Sequence, residues 1–351
     1  MTDPSETARG PNSGGGARIP AKMLAVVARR YGGSEVLAIE SVPVPAPAPG
    51  QLLVSVRASS ANALDWHFLS GTPYFMRLIA GLWKPKRLIQ GADVAGIVEA
   101  VGTGVGGFHI GDAVFGESGG GGFARYATVD AADVVALPQG VNFAAAGATP
   151  VAGLTALQGL RTHGALRAGD RVLINGAAGG VGTFAIQIAQ ALGAGEITAV
   201  CSTNNVDQAR ALGATRVIDY CRDDFVTAAG EYDVILDMVG NKTATEILSI
   251  LASRGRYVAV SGPMTNRWLG PLPHLVRTRF AFRRAQPSFH QFTAAATAED
   301  LTFLAELLAS GQLVPAVDRI VGLDGVAEAM DQISTGHGPG KVVVVPGPAL
   351  T

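Results

Sequence analysis

The chain has 351 residues, 48% hydrophobic and 16% charged, with a formal net charge of −1. That length and apolar share describe a core-rich globular chain of about two domains, and the balanced charge gives no electrostatic case for nucleic acid. Two cysteines, Cys201 and Cys221, are too few for a disulfide scaffold or a four-cysteine zinc site, and no apolar run reaches the length of a membrane helix.

Residues 1–22 are rich in Gly, Ser and Pro and lack the apolar core of a signal peptide. They read as a disordered tail, and a cytoplasmic location is the expectation. Short apolar or alternating runs at 23–27, 36–42, 51–58, 94–101, 113–115 and 124–129 predict strands, separated by Gly- and Pro-rich turns such as 43–50 and 102–111. Many short strands with little helix predict a small antiparallel barrel.

The stretch 171–203 carries the strongest local signal. Val172, Leu173 and Ile174 read as a buried strand, and Gly176, Gly179, Gly180 and Gly182 crowd the turn after it. Apolar residues at Val181, Phe184, Ala185, Ile188, Ala189 and Leu192 have helical spacing, and Gly193 is placed to stop the helix. A second apolar run follows at 197–201. Strand, glycine turn, helix and strand form the unit that sets a dinucleotide pyrophosphate over a helix N-terminus. The spacing is Gly-x-x-Gly-x-x-Gly, and in a chain with 46 glycines only the flanking elements make it specific. Further buried strands are predicted at 232–237 and 255–260, and their following loops, Val239-Gly240-Asn241 and Ser261-Gly262, fall where an open α/β sheet binds ligand. A helix over 298–310 and a strand over 342–345 close the chain.

Ordered motifs across nearly the whole length resemble the medium-chain dehydrogenases/reductases. They are SSANALDWHFLSG (59–71), QGADVAGIVEAVGTGVGGFHIGDAVFG (90–116), TPVAGLTAL (149–157), NGAAGGVG (175–182), GATRVIDY (213–220) and GKVVV (340–344). Zinc members carry a cysteine and a Gly-His-Glu triplet at positions that are Asn62 and Gly91-Ala92-Asp93 here, and the lobe for a structural zinc is missing. The thiolate and imidazole that a catalytic zinc needs are absent. The chain is therefore similar to the zinc-independent, quinone oxidoreductase-like branch, and within it to the subgroup of reticulon-interacting mitochondrial reductases. No metal is expected. The resemblance implies an α/β fold: a Rossmann-type doubly wound parallel sheet over 148–295, and a GroES-like β-barrel built from 23–147 and completed by 296–351.

It also implies a site. Asn62 and Asp65 stand in an Asn-x-x-Asp pattern, where Asn62 would reach the nicotinamide ribose or a substrate oxygen and Asp65 would buttress it. Tyr74 matches a pocket tyrosine, and it is the only nearby phenol that could donate a proton. Thr155 matches a contact near the nicotinamide, and Lys341 one that returns to the cleft. Gly176, Ala178, Gly179, Gly180, Val181 and Gly182 would cradle the pyrophosphate; Ser202, Thr203, Asn205 and Tyr220 would meet the adenosine end. Strand 197–201 ends without the acid that binds both ribose hydroxyls in NAD enzymes, the next acid being Asp207, so NADP(H) is the expected cofactor. Asn204 and Asn205 stand where relatives often carry a basic residue, which leaves the strictness of that preference open.

The 264–298 stretch holds five arginines and no acid. Its two readings are a lid running into a dimerising edge strand near Phe289, with Trp268, Phe280 and Phe282 lining an apolar cleft, and a patch for an anionic or membrane surface. The expected activity is hydride transfer from NADPH to a small electrophilic acceptor, a quinone or an α,β-unsaturated carbonyl, by a homodimer. The alternatives are an NADPH-binding regulatory protein with negligible turnover and, less consistent with Asn62 and Ala92, a zinc alcohol dehydrogenase.

Overall fold

The computed structural model describes residues 19–228, 230–263, 266–336 and 338–347. Residues 1–18 of the expected tail, and Met264 at the start of the arginine-rich stretch, lie outside the described residues.

A six-stranded, all-parallel sheet is ordered Arg216–Asp219, Glu196–Cys201, Arg171–Asn175, Tyr232–Asp237, Leu251–Ala259, Ser288–Gln291. The chain runs outward in one direction from Arg171–Asn175 and then outward in the other, so the order reverses between Arg171–Asn175 and Tyr232–Asp237. That crevice is where open α/β sheets take ligands. The helix after the glycine turn spans Gly180–Ala191. It buries Phe184, Ala185, Ile188 and Ala189 against Val172 and Ile174, and it ends before Gly193, whose φ of +82° suits a glycine stop.

The second sheet is ordered Val317–Val321, Lys341–Val344, Gln51–Ser60, Asp93–Val101, Ala113–Glu117, Val134–Ala136, with Tyr126–Asp130 also on Gln51–Ser60. Its pairs are antiparallel except Val317–Val321 with Lys341–Val344. Helix Val326–Thr335 connects those two strands, and a helical crossover enforces parallel pairing. A separate hairpin, Lys22–Ala28 with Leu37–Pro43, touches this sheet region through bridges from Ala25 to Ala124 and Val27 to Ile89.

Helix Pro150–Leu157 joins the halves, and all of its residues except Val151 are buried. It contributes Ala152, Leu154, Ala156 and Leu157 to one core with Phe115 of the second sheet and Phe184 of the nucleotide-type helix. The stretch expected as a lid running into an edge strand contains, before the edge strand Ser288–Gln291, a helix, Leu272–Phe282. Leu275, Thr278 and Phe282, at spacings of three and four, form its buried face, and the prolines fall in or just before the first turn, where a missing N–H costs little.

Candidate active site

Gly176 leaves its strand with φ +87°, a backbone that favours glycine. A Cβ on Gly182 would lie 2.3 Å from the Gly176 carbonyl oxygen, so the turn folds onto its own helix with no room for a side chain. A Cβ on Gly179 would meet nothing nearer than 3.6 Å, and one on Gly180 only the Lys341 side chain at 3.1 Å. This leaves an open cradle, flanked by Ala178, at the positive end of the helix. The Gly180, Val181 and Gly182 amides there have no partner within the helix. The residues fit a dinucleotide pyrophosphate.

At the end of the second strand, Asn205 Nδ2 donates to Ser202 Oγ at 2.9 Å, and Thr203 Oγ1 donates to Asp219 Oδ2 at 2.6 Å. Arg222 Nε lies 3.5 Å from that same carboxylate oxygen. The Thr203 hydroxyl, followed by the Cys221 N–H, holds the Asp219 carboxyl below its ordinary range. The sequence after strand 197–201 shows no acid before Asp207, yet the parallel register pairs Asp219 with Cys201 and brings a carboxylate and an arginine to this end. Neither was in the sequence reading. Tyr220 stands half exposed beside them, its N–H on the Cys201 carbonyl at 3.0 Å.

Asp237 organises the loops over the crevice. Its Oδ1 accepts from Asn175 Nδ2 at 2.9 Å and from the Val239 and Gly240 amides at 2.8 Å each; its Oδ2 accepts from Tyr257 Oη at 2.9 Å. Burial, then this carboxylate, pushes the Tyr257 phenol far up. Asn175 also donates to Asn241 Oδ1 at 3.1 Å. A Cβ on Gly240 would sit 2.7 Å from Gly262 Cα, and one on Gly176 would sit 3.1 Å from Val239 Cγ2. Val239, Gly240, Asn241 and Gly262, next to Ser261, thus gather beside the glycine turn. Sequence reading named them but missed Asp237, a lone buried acid ending an apolar strand.

The third cluster comes from the second sheet. Lys341 is 2% exposed, and its Nζ donates to Asn62 Oδ1 and approaches Asp93 Oδ2 and the Ala61 carbonyl at 3.4 Å each. Asn62 Nδ2 donates to Asp93 Oδ2 at 2.8 Å and to the Ser60 carbonyl at 3.2 Å. Because an ammonium can only donate and a carboxylate only accept, this fixes which way the Asn62 amide faces. Ser60 Oγ also donates to Asp93 Oδ2, while Asp93 Oδ1 accepts the Val151 N–H at 2.8 Å, holding the start of helix Pro150–Leu157. Both Asn62 amide hydrogens are therefore engaged within the protein, and Lys341 is the member that lies against Gly180. Asp65 stands behind Asn62. Its carboxylate accepts from the Asn62, Gly91 and Ala92 amides at 3.0, 2.9 and 3.0 Å. Burial, then nearby Asp93, pushes its carboxyl up to about 6 against those donors. Glu117, facing Asp93 across the sheet ladder, is pushed up to about 8 by burial, then Asp93. Sequence reading assigned Asp93 no role beyond its place in the Gly91-Ala92-Asp93 triplet, and assigned Glu117 none.

Tyr74 and Thr155 are placed differently. The Tyr74 ring lies edge-on to Trp268 with centroids 5.2 Å apart and under the Arg77 guanidinium at 4.5 Å. Of the three aromatics expected to share a cleft, Phe280 and Phe282 line one open cavity with Phe289, Arg279 and Arg283, while Trp268 stands apart against Tyr74. Thr155 is buried and donates within its own helix to the Val151 carbonyl at 2.7 Å.

Residues 48–139 match the family model described as an alcohol dehydrogenase GroES-like domain, and 212–344 that of a zinc-binding dehydrogenase. Among the described residues, no three His, Cys, Asp or Glu side chains are grouped to hold a metal ion. The chain is 31% identical to quinone-oxidoreductase QR1, chloroplastic, of Triphysaria versicolor, over 92% of this chain and 98% of that protein. It is equally 31% identical to the NADPH-dependent alkenal/one oxidoreductase, chloroplastic, of Arabidopsis thaliana, over 95% of this chain and 82% of that one. Its fold superposes on the quinone oxidoreductase from Coxiella burnetii with a TM-score of 0.81 at 28% identity, covering 93% of this chain and 100% of the other. Motifs, paired sheets and relatives agree: the chain is an oxidoreductase of the zinc-independent, quinone oxidoreductase-like branch of the medium-chain dehydrogenases/reductases.

Proposed function

We propose that the protein is an NADPH-dependent reductase that delivers hydride to a quinone or to the β-carbon of an α,β-unsaturated carbonyl. The observation that carries this is the contact of Lys341, tied to Asn62 and Asp93, with Gly180 at the head of the glycine turn. It brings the Lys341 stem, through its Cδ, to the head of the cradle, with the buried ammonium beyond it on Asn62 and Asp93. NADPH, when bound, supplies the hydride. The chain's part is to hold the acceptor in a dry crevice and to stabilise the charge that develops on its oxygen. Lys341 carries that charge stabilisation together with amides near Ser261. Asn62 orients Lys341: both Asn62 amide hydrogens are held, at 2.8 and 3.2 Å. Two of the three Lys341 contacts, to Asp93 Oδ2 and the Ala61 carbonyl, are long at 3.4 Å each and are the ones a charged acceptor oxygen would replace. Asp65 fixes Asn62, Tyr74 lines the acceptor's approach, Thr155, its proton held by the Val151 carbonyl, can offer the nicotinamide end only its oxygen, and solvent supplies the proton.

Preference for NADPH is supported by Arg222, which offsets the Asp219 carboxylate beside Thr203 at the end of strand Glu196–Cys201 and can meet a 2′-phosphate where Asn204 and Asn205 cannot. The Arabidopsis relative is named as an NADPH-dependent enzyme. A homodimer is proposed through strand Ser288–Gln291, which among the described residues pairs on one side only and leaves an open sheet edge. The test of the reading is Lys341→Met. With NADPH and a quinone, kcat/KM should fall about 100-fold, the scale of losing one charge-stabilising group, while NADPH still binds. Unchanged kcat/KM would remove Lys341 from the chemistry.

A further inference from the structure

Two stretches far apart in sequence meet at the surface. The Tyr74 and Phe75 amides donate to the Arg267 and Trp268 carbonyls at 2.7 and 3.3 Å, and the Trp268 ring stands against Tyr74. Around this junction the molecule exposes large apolar side chains: Leu78 by 76%, Ile79 by 70%, Leu82 by 55%, Trp83 by 88%, Trp268 by 71% and Leu269 by 48%. Single exposed apolar residues are ordinary; a cluster of this size on two joined segments marks a binding face.

The charged residues within 77–87 and 266–270 are all cations. Residues 66–92 contain four Lys and Arg and no acid, and 264–298 five Arg and no acid, in a chain whose net charge is −1. Lys84, Lys86 and Arg267 are exposed, and none pairs with a carboxylate among the described residues. The occupant must therefore be anionic over an apolar interior. Nucleic acid would leave Leu78, Ile79 and Leu82 without partners. A second copy related by a two-fold axis would set the same cations against themselves. Among the described residues no helix is long and apolar enough to cross a membrane, so contact is with a surface.

We infer that the face formed by 77–87 and 266–270 docks on an anionic lipid bilayer, with Trp83 and its aliphatic neighbours at the headgroup boundary and the lysines and arginines among the headgroups. This inference does not depend on the acceptor proposed above. The experiment is flotation of the full chain with vesicles of phosphatidylcholine alone and of phosphatidylcholine mixed with phosphatidylserine. The chain should float with the mixed vesicles only and be released by salt. Lys84→Glu with Lys86→Glu should lower partitioning by about fivefold for each cation removed, and Trp83→Ser by about tenfold. NADPH oxidation by a water-soluble acceptor should be unaffected in all of these. No flotation, equal flotation with both vesicles, or a change of oligomeric state on Trp83→Ser, which would hand the face to a second copy, each overturns the inference.

Discussion

Asp93 is the residue on which most of the site's geometry converges. It is fully buried, and its two oxygens serve Ser60, Asn62, Lys341 and the Val151 amide. Asp93→Asn would leave the Lys341 ammonium buried without a counter-charge, a change that typically costs about 3–5 kcal/mol. The melting temperature should drop sharply, and Lys341→Met in the same background should restore part of it. An unaltered melting temperature in the single variant would show that the pair is not coupled. Asp65 and Glu117 give the site a pH dependence. Folded, they keep protons to about 6 and about 8, against ordinary values of 3.8 and 4.5. The folded chain thus binds more protons than the unfolded one within those windows, and stability falls as pH rises through them. Glu117→Gln should flatten the decline of melting temperature between pH 4.5 and about 8, and an unchanged slope would contradict the assignment. At the adenosine end, Arg222→Ala should raise KM for NADPH about tenfold and leave that for NADH unchanged, the scale of one lost charge-assisted contact. Equal effects on both cofactors would remove Arg222 from selectivity.

The glycine turn separates building from binding at the level of a single element. Gly182 is required by the fold, because a methyl there would meet the Gly176 carbonyl; Gly179 faces open space with a φ of −72° that any residue adopts. Gly182→Ala should therefore destabilise the protein without cofactor. Gly179→Ala should leave the melting temperature unchanged and weaken NADPH binding at least tenfold, since its methyl fills the cradle. Loss of stability in Gly179→Ala would mean that the cradle is part of the packing. The turn, its helix and both flanking strands were legible in the sequence because periodicity and glycine spacing are local signals. Asp93, Asp237 and Asp219 were not, since each becomes a hub only when the sheets bring distant strands into register. The helix Leu272–Phe282 was hidden by five arginines and two prolines in its neighbourhood, which obscure a buried face of only three residues.

For the whole molecule, the sheets are joined by polar as well as apolar contacts. Lys341, on a strand of the second sheet, lies against Gly180 of the parallel-sheet half, and Asp93 fastens the helix between them. Binding of a dinucleotide in the cradle should thus stabilise both halves together, raising a single melting transition by the logarithm of ligand over Kd. The measurement that bears most directly on the account is stopped-flow absorbance of bound NADPH mixed in turn with quinones and enones. Rapid oxidation by one acceptor class, slowed about 100-fold in Lys341→Met, is the predicted result. NADPH that binds yet stays reduced with every acceptor would contradict the reductase and leave a dinucleotide-binding protein with another role.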